Sequence, residues 1–136
     1  MIKGKLVISV DFDGTIVTDK FPEVGELRTG AKYFVNKLYN EGHYIIINTC
    51  RSGRHEGKVE DFLEKEGVHY HYINSNLPEL IEHYKQDCRK ISADFYIDDK
   101  CVVGLPPWYK IYDILMNKYS EMLSGYYSPW LHSKVK

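Results

Sequence analysis

Short apolar runs alternate with amphipathic stretches along most of the chain. The run at 6–10 (Leu6, Val7, Ile8, Ser9, Val10) is rich in β-branched side chains and reads as a buried strand, ended by Asp11 and Gly14. Ala31, Phe34, Val35 and Leu38 then follow the i, i+3, i+4, i+7 spacing of a helix. Thr29 is its expected N-cap and Gly42 its expected stop. Positions 44–47 predict a second strand, ending in Asn48-Thr49. Val59, Phe62 and Leu63 predict a second helix closed by Gly67, and positions 70–73 a third strand. Leu80, Ile81 and Tyr84 predict a short helix after Pro78, and positions 94–97 a fourth strand ending in Asp98-Asp99. Trp108, Ile111, Leu115 and Met122 form one stripe of a C-terminal helix over about 107–124, followed by an aromatic tail at 125–136.

Strands alternating with helices predict an α/β fold: a three-layer, Rossmann-like parallel sheet with helices on both faces. Crossovers in such sheets are right-handed, and ligands gather at the carboxyl ends of strands where the strand order reverses. The polar residues with chemical potential are Asp11, Asp13, Thr49, Asp98 and Asp99, and each falls at the C-terminal end of a predicted strand.

At 136 residues the chain has the usual size of one domain spanning 1–136. A formal net charge of -1 argues against a general nucleic-acid-binding surface, while leaving room for a local basic patch around an anionic substrate. Three widely spaced cysteines, Cys50, Cys88 and Cys101, fit reduced thiols in a cytoplasmic protein better than a disulfide framework. The apolar run before Asp11 is too short for a signal peptide, and no stretch approaches the roughly twenty apolar residues of a membrane span.

Asp11 and Asp13 stand two apart at a strand end, and Gly14 permits a tight exit turn. Asp98-Asp99 is a second acidic pair after an apolar strand. Either pair alone is compatible with a simple turn. Together they place four carboxylates at one crevice, where mutual repulsion calls for a cation. An all-oxygen donor set suits a hard ion, and magnesium is the usual partner of phosphate substrates. Thr49 offers a hydroxyl and a backbone N–H to a phosphate oxygen, and Arg51 and Arg54 follow in the next loop. His69 and His71 lack a nearby acid or cysteine and read as structural, while His55 stands where it could line the mouth of the site. Tyr109, Tyr112, Tyr119, Tyr126, Tyr127 and Trp130 make the C-terminal end aromatic, read first as packing and second as a self-association or base-stacking surface.

Asp11-Phe12-Asp13-Gly14-Thr15, an apolar strand ending in Thr49, and Tyr96-Ile97-Asp98-Asp99 together resemble three motifs of the haloacid dehalogenase superfamily. The string Arg89-Lys90-Ile91-Ser92-Ala93-Asp94, with Gly104-Leu105-Pro106 after the acidic pair, resembles a narrower group of compact, capless bacterial hydrolases. The resemblance implies a magnesium-dependent phosphohydrolase working through an aspartyl-phosphate. Asp11 would be the nucleophile and Asp13 the general acid and base. Magnesium would be held by Asp11, the backbone carbonyl of Asp13 and Asp98, with Asp99 alongside. Thr49 would hold a phosphate oxygen and a lysine would neutralise its charge: Lys90 by position in the narrower group, or Lys85 as the alternative.

Neither 14–44 nor 50–93 leaves space for an inserted cap domain, so the site is expected to be open. A macromolecular phosphorylated substrate, or a second subunit in a homo-oligomer, would then cover it. Two other readings compete. In a receiver-type signalling domain the phosphorylated Asp ends the third strand, whereas here Ile73-Asn74 stand there. A binding module that has lost turnover is the other, and the presence of both Asp11 and Asp13 argues against it.

Overall fold

The computed structural model describes residues 1–125. Its elements are β1 (Val7–Asp11), α1 (Ala31–Asn40), β2 (Tyr44–Asn48), α2 (Arg54–Glu66), β3 (Tyr72–Ile73), α3 (Pro78–Tyr84), β4 (Phe95–Ile97) and α4 (Trp108–Ser124). The four strands form one parallel sheet in the order β3-β2-β1-β4. The fold is therefore α/β, as the alternation of apolar runs predicts.

The period-two alternation of strand side chains divides β1 between two cores. Ile8 and Val10 join Val35 and Leu38 of α1, Val59 and Leu63 of α2, and Trp108, Ile111 and Leu115 of α4. Val7 points the other way and packs with Ile46, Leu77 and Ile91, with Leu80 of α3 against them. Three helices thus cover one face and the short α3 the other. The chain moves from β1 to β3 in one direction along the sheet, then crosses back past β1 to form β4. The reversal falls between β1 and β4, and the carboxyl ends of those strands flank it.

Three of the element boundaries differ from the pattern-based reading, one through a backbone turn and two because a side chain does the work of a backbone group. Helix α1 is preceded by Gly30 in a left-handed conformation, with no side-chain cap, so Thr29 is not its N-cap. The Ala31 N–H instead reaches back to the Arg28 carbonyl at 3.0 Å. β3 begins at Tyr72 rather than residue 70, because His71 Nδ1 accepts the Ile45 N–H at 2.9 Å in place of a strand carbonyl. β4 begins at Phe95 because the Asp94 carboxylate takes the Val7 N–H at 2.7 Å and the Met1 amino group at 3.0 Å.

Between β1 and α1 the chain forms a short flap. Its arms are joined by Thr18 N–H to the Glu26 carbonyl and Arg28 N–H to the Ile16 carbonyl, both at 2.8 Å. Helix α4 starts after Pro107 and ends at Gly125 in the left-handed conformation. Tyr126, Tyr127 and Trp130, read from sequence as an aromatic tail, lie outside the described residues. Among the described residues no helix is long and apolar enough to cross a membrane.

Candidate functional site

The register of the sheet assembles the acids. Asp11 closes β1 opposite Asn48 of β2, and Val10 stands opposite Ile97 of β4. Asp98 and Asp99 follow Ile97 directly, so the strand ends deliver both to the β1 side of the reversal. Carboxylate oxygens of Asp11, Asp98 and Asp99 all lie within 4.8 Å of one another. The nearest cation is the exposed ammonium of Lys100, 3.9 Å from Asp99. That distance, in solvent, gives little compensation.

The electrostatic consequence falls on Asp11, whose pKa is pushed up to about 7. Burial is the largest cause, and the closeness of Asp99 and Asp98 adds to it, while a hydrogen bond from Thr15 works the other way. A half-buried carboxylate facing two more lacks a counter-charge. The donor set is all oxygen and anionic, which fits a hard divalent ion.

Thr15 stitches the two acidic segments together. Its hydroxyl donates to Asp11 Oδ2 at 2.9 Å and accepts the Asp99 N–H at 3.0 Å. Gly14 lies against the same carboxylate: a Cβ there would collide with Asp99, and its φ of 84° already disfavours a side chain. Beneath the turn, the buried Trp108 donates from Nε1 to the Thr15 carbonyl at 3.0 Å. The sequence motif contains Thr15 and Gly14, yet nothing in the order of residues assigns them these partners. For Trp108 the helix stripe signals burial only.

Asp13 faces the other way, toward the loop after β2. Arg51 grips it with both arms of the guanidinium, Nε to Oδ2 at 2.7 Å and Nη2 to Oδ1 at 2.8 Å. The Arg51 side chain is 1% exposed. Its remaining bonds go to flap carbonyls, Nη1 to Pro22 at 3.0 Å and Nη2 to Glu23 at 2.8 Å. Four of the five guanidinium N–H donors are therefore engaged within the protein. The phosphate contact expected of Arg51 is replaced here by a clamp on Asp13. The bond to Asp13 raises the guanidinium pKa further, so its charge is permanent.

Thr49 sits just past β2. Its N–H donates to Asn74 Oδ1 at 2.8 Å, and its hydroxyl oxygen accepts the Arg51 N–H at 3.1 Å. The hydroxyl proton stays available to an incoming oxygen. Asn74, directly after β3, thus serves as an amide that supports Thr49.

The two candidate lysines differ. Lys85 ends α3 and pairs with Glu82 at an exposed position. The ammonium of Lys90 lies 5.2 Å from the ring centre of Tyr96 in β4, with no carboxylate partner among the described residues. Of the two, Lys85 has an ion pair and Lys90 has none among the described residues. His69 and His71 pack on Tyr39, with ring centres 5.2 and 4.7 Å away, in keeping with a structural role. The His55 ring lies 5.2 Å from the ring of Phe21 at the flap tip.

The fold and the strand-end carboxylates define a parallel α/β protein with three acids gathered at the carboxyl ends of β1 and β4. A solved structure of a conserved protein coded by a locus of Bacteroides thetaiotaomicron is 32% identical, with a TM-score of 0.76 over 84% of this chain and 92% of that one. The chain belongs to the family of that protein, which is described as conserved and with no stated activity. No family model and no curated protein matches the sequence.

Proposed function

We propose that the protein is a magnesium-dependent phosphomonoesterase of the haloacid dehalogenase type, built on the capless, Rossmann-like version of that fold and acting in the cytoplasm. The observation that carries this reading is the cluster of Asp11, Asp98 and Asp99 at the strand-order reversal, with Asp11 raised to about 7 by burial and by the carboxylates beside it.

Asp11, the Asp13 carbonyl and Asp98 would hold the ion, with Asp99 beside them. When bound, the ion supplies positive charge to the phosphoryl oxygens and favours the ionised form of Asp11. Asp11 attacks phosphorus, forming an aspartyl-phosphate as the ester oxygen departs. Asp13 delivers a proton to that oxygen, then takes one from the water that cleaves the acyl-phosphate and regenerates Asp11. The Thr49 hydroxyl donates to a phosphoryl oxygen, and Lys90 offsets the remaining negative charge. With a short flap in place of a cap, the site suits a phosphorylated macromolecule, or coverage by a second copy of the chain.

The test is release of phosphate from a generic aryl phosphate, with added magnesium and in chelator. Turnover should require the metal and vanish in Asp11→Asn. Full activity in chelator, or normal turnover by the variant, contradicts the mechanism.

A further inference from the structure

Arg51 touches three parts of the site at once. Its guanidinium holds both oxygens of Asp13 at 2.7 and 2.8 Å. The same group binds the Pro22 and Glu23 carbonyls at the flap tip. Its backbone N–H holds the Thr49 hydroxyl oxygen at 3.1 Å. The Phe21 ring, 57% exposed, lies with its centre 5.0 Å from the guanidinium carbon, and the buried Phe12 ring backs it at 5.8 Å. Lys58 adds a second, looser tie to the Pro22 carbonyl at 3.3 Å.

A buried guanidinium with four bonds has one low-energy position, because each lost bond leaves a donor unpaired away from water. The flap tip (19–23) is exposed along its length and has few ties of its own, among them the Phe21 N–H to Asp19 Oδ1 at 3.3 Å. Arg51 supplies two of its ties to the body of the protein, beside the bond from Lys58 and the ring of His55. A Lys could not replace it, since an ammonium cannot span both carboxylate oxygens and two carbonyls in one plane.

We propose that Arg51 is a positioning residue that locks the orientation of the Asp13 carboxylate to the position of the flap tip, so that the flap and the acid–base group move as one unit. Each Asp13 oxygen keeps a second lone pair beyond the one facing Arg51, so the carboxylate can still exchange a proton with a group in the crevice. Phe21 is carried by the same unit. The inference rests on the hydrolase reading for its kinetic half only.

The kinetic half is a double-mutant cycle of Arg51→Lys and Asp13→Asn, assayed with an aryl and an alkyl phosphate at saturating magnesium. Arg51→Lys should lower kcat on the alkyl ester by roughly 100-fold, and less on the aryl ester, whose leaving group needs less help from an acid. In the Asp13→Asn background the same change should cost less than about threefold, because Arg51 acts through Asp13. An equal loss in both backgrounds, or a rise in KM with kcat unchanged, overturns the inference. The second half needs no turnover: hydrogen exchange at the Thr18 and Arg28 amides, which close the flap, should quicken several-fold in both Arg51→Lys and Asp13→Asn. Exchange at the wild-type rate in both variants overturns the coupling. A wild-type protein that releases no phosphate defeats the hydrolase reading, and the exchange measurement still judges Arg51.

Discussion

Asp11 and Asp13 stand two residues apart on one turn, yet they occupy opposite environments. Asp11 faces Asp98 and Asp99, is half-buried, and among the described residues takes its hydrogen bond from the Thr15 hydroxyl. Asp13 faces a buried arginine that satisfies both of its oxygens. One carboxylate is left short of positive charge and the other is fully supplied with it. That asymmetry separates a group that would take up a metal and attack phosphorus from one that would handle protons. It also means that the two acids respond differently to every perturbation of charge.

The sharpest way to break the comparison is to neutralise each acid in turn. Asp11→Asn should reduce phosphate release by ~10³-fold or more with any ester, since the amide replaces the attacking carboxylate. Asp13→Asn should cost ~10²-fold on an alkyl phosphate and distinctly less on an aryl phosphate. If the two variants show the same dependence on leaving group, the division of labour is wrong.

A smaller effect is expected at Thr15. Thr15→Val keeps the shape but removes a donor to Asp11 and an acceptor for the Asp99 N–H. Chemical denaturation should show a loss of about 1–3 kcal/mol. The same experiment on Ser9→Ala, a buried hydroxyl within β1 that precedes the turn, serves as the reference. An unchanged midpoint in Thr15→Val would show that the two acidic segments hold their positions without it.

The smallest effect is a pH dependence. A carboxyl whose pKa is higher in the folded than in the unfolded state binds its proton more tightly when folded. Below the ordinary value of 3.8 both states are protonated and nothing is lost; as pH rises from there through about 7, the metal-free protein loses stability. Thermal melts in chelator should therefore show wild type falling relative to Asp11→Asn between pH 5 and pH 8. Magnesium should restore the wild type more than the variant. Parallel melting curves across that range would contradict an uncompensated Asp11.

Much of this architecture was legible before any tertiary contact was known. β-branched runs, helical stripes and the glycines that close them predict the order of elements and the parallel α/β class, because backbone sterics and apolar burial act locally. The boundaries that shifted, at Thr29, at residue 70 and at Asp94, involve capping or side-chain bonds that link residues distant in sequence or depend on a neighbour's conformation. Asp11, Asp98 and Thr49 were legible as candidates for the same reason as the strands: each is the polar residue that ends an apolar run.

Tertiary structure alone decided how these candidates divide. Arg51 follows Thr49 by two positions, and loop position alone makes it a phosphate donor; only the fold brings Asp13 and the flap carbonyls around it, 38 and about 28 residues away. Lys85 and Lys90 are equivalent as charges in sequence, and differ once α3 carries one to Glu82 and leaves the other over Tyr96. The physical reason is common to all of these. Residue type and local pattern determine which groups a segment can offer, whereas charge compensation depends on distances that the chain acquires only when β1, β2 and β4 lie side by side.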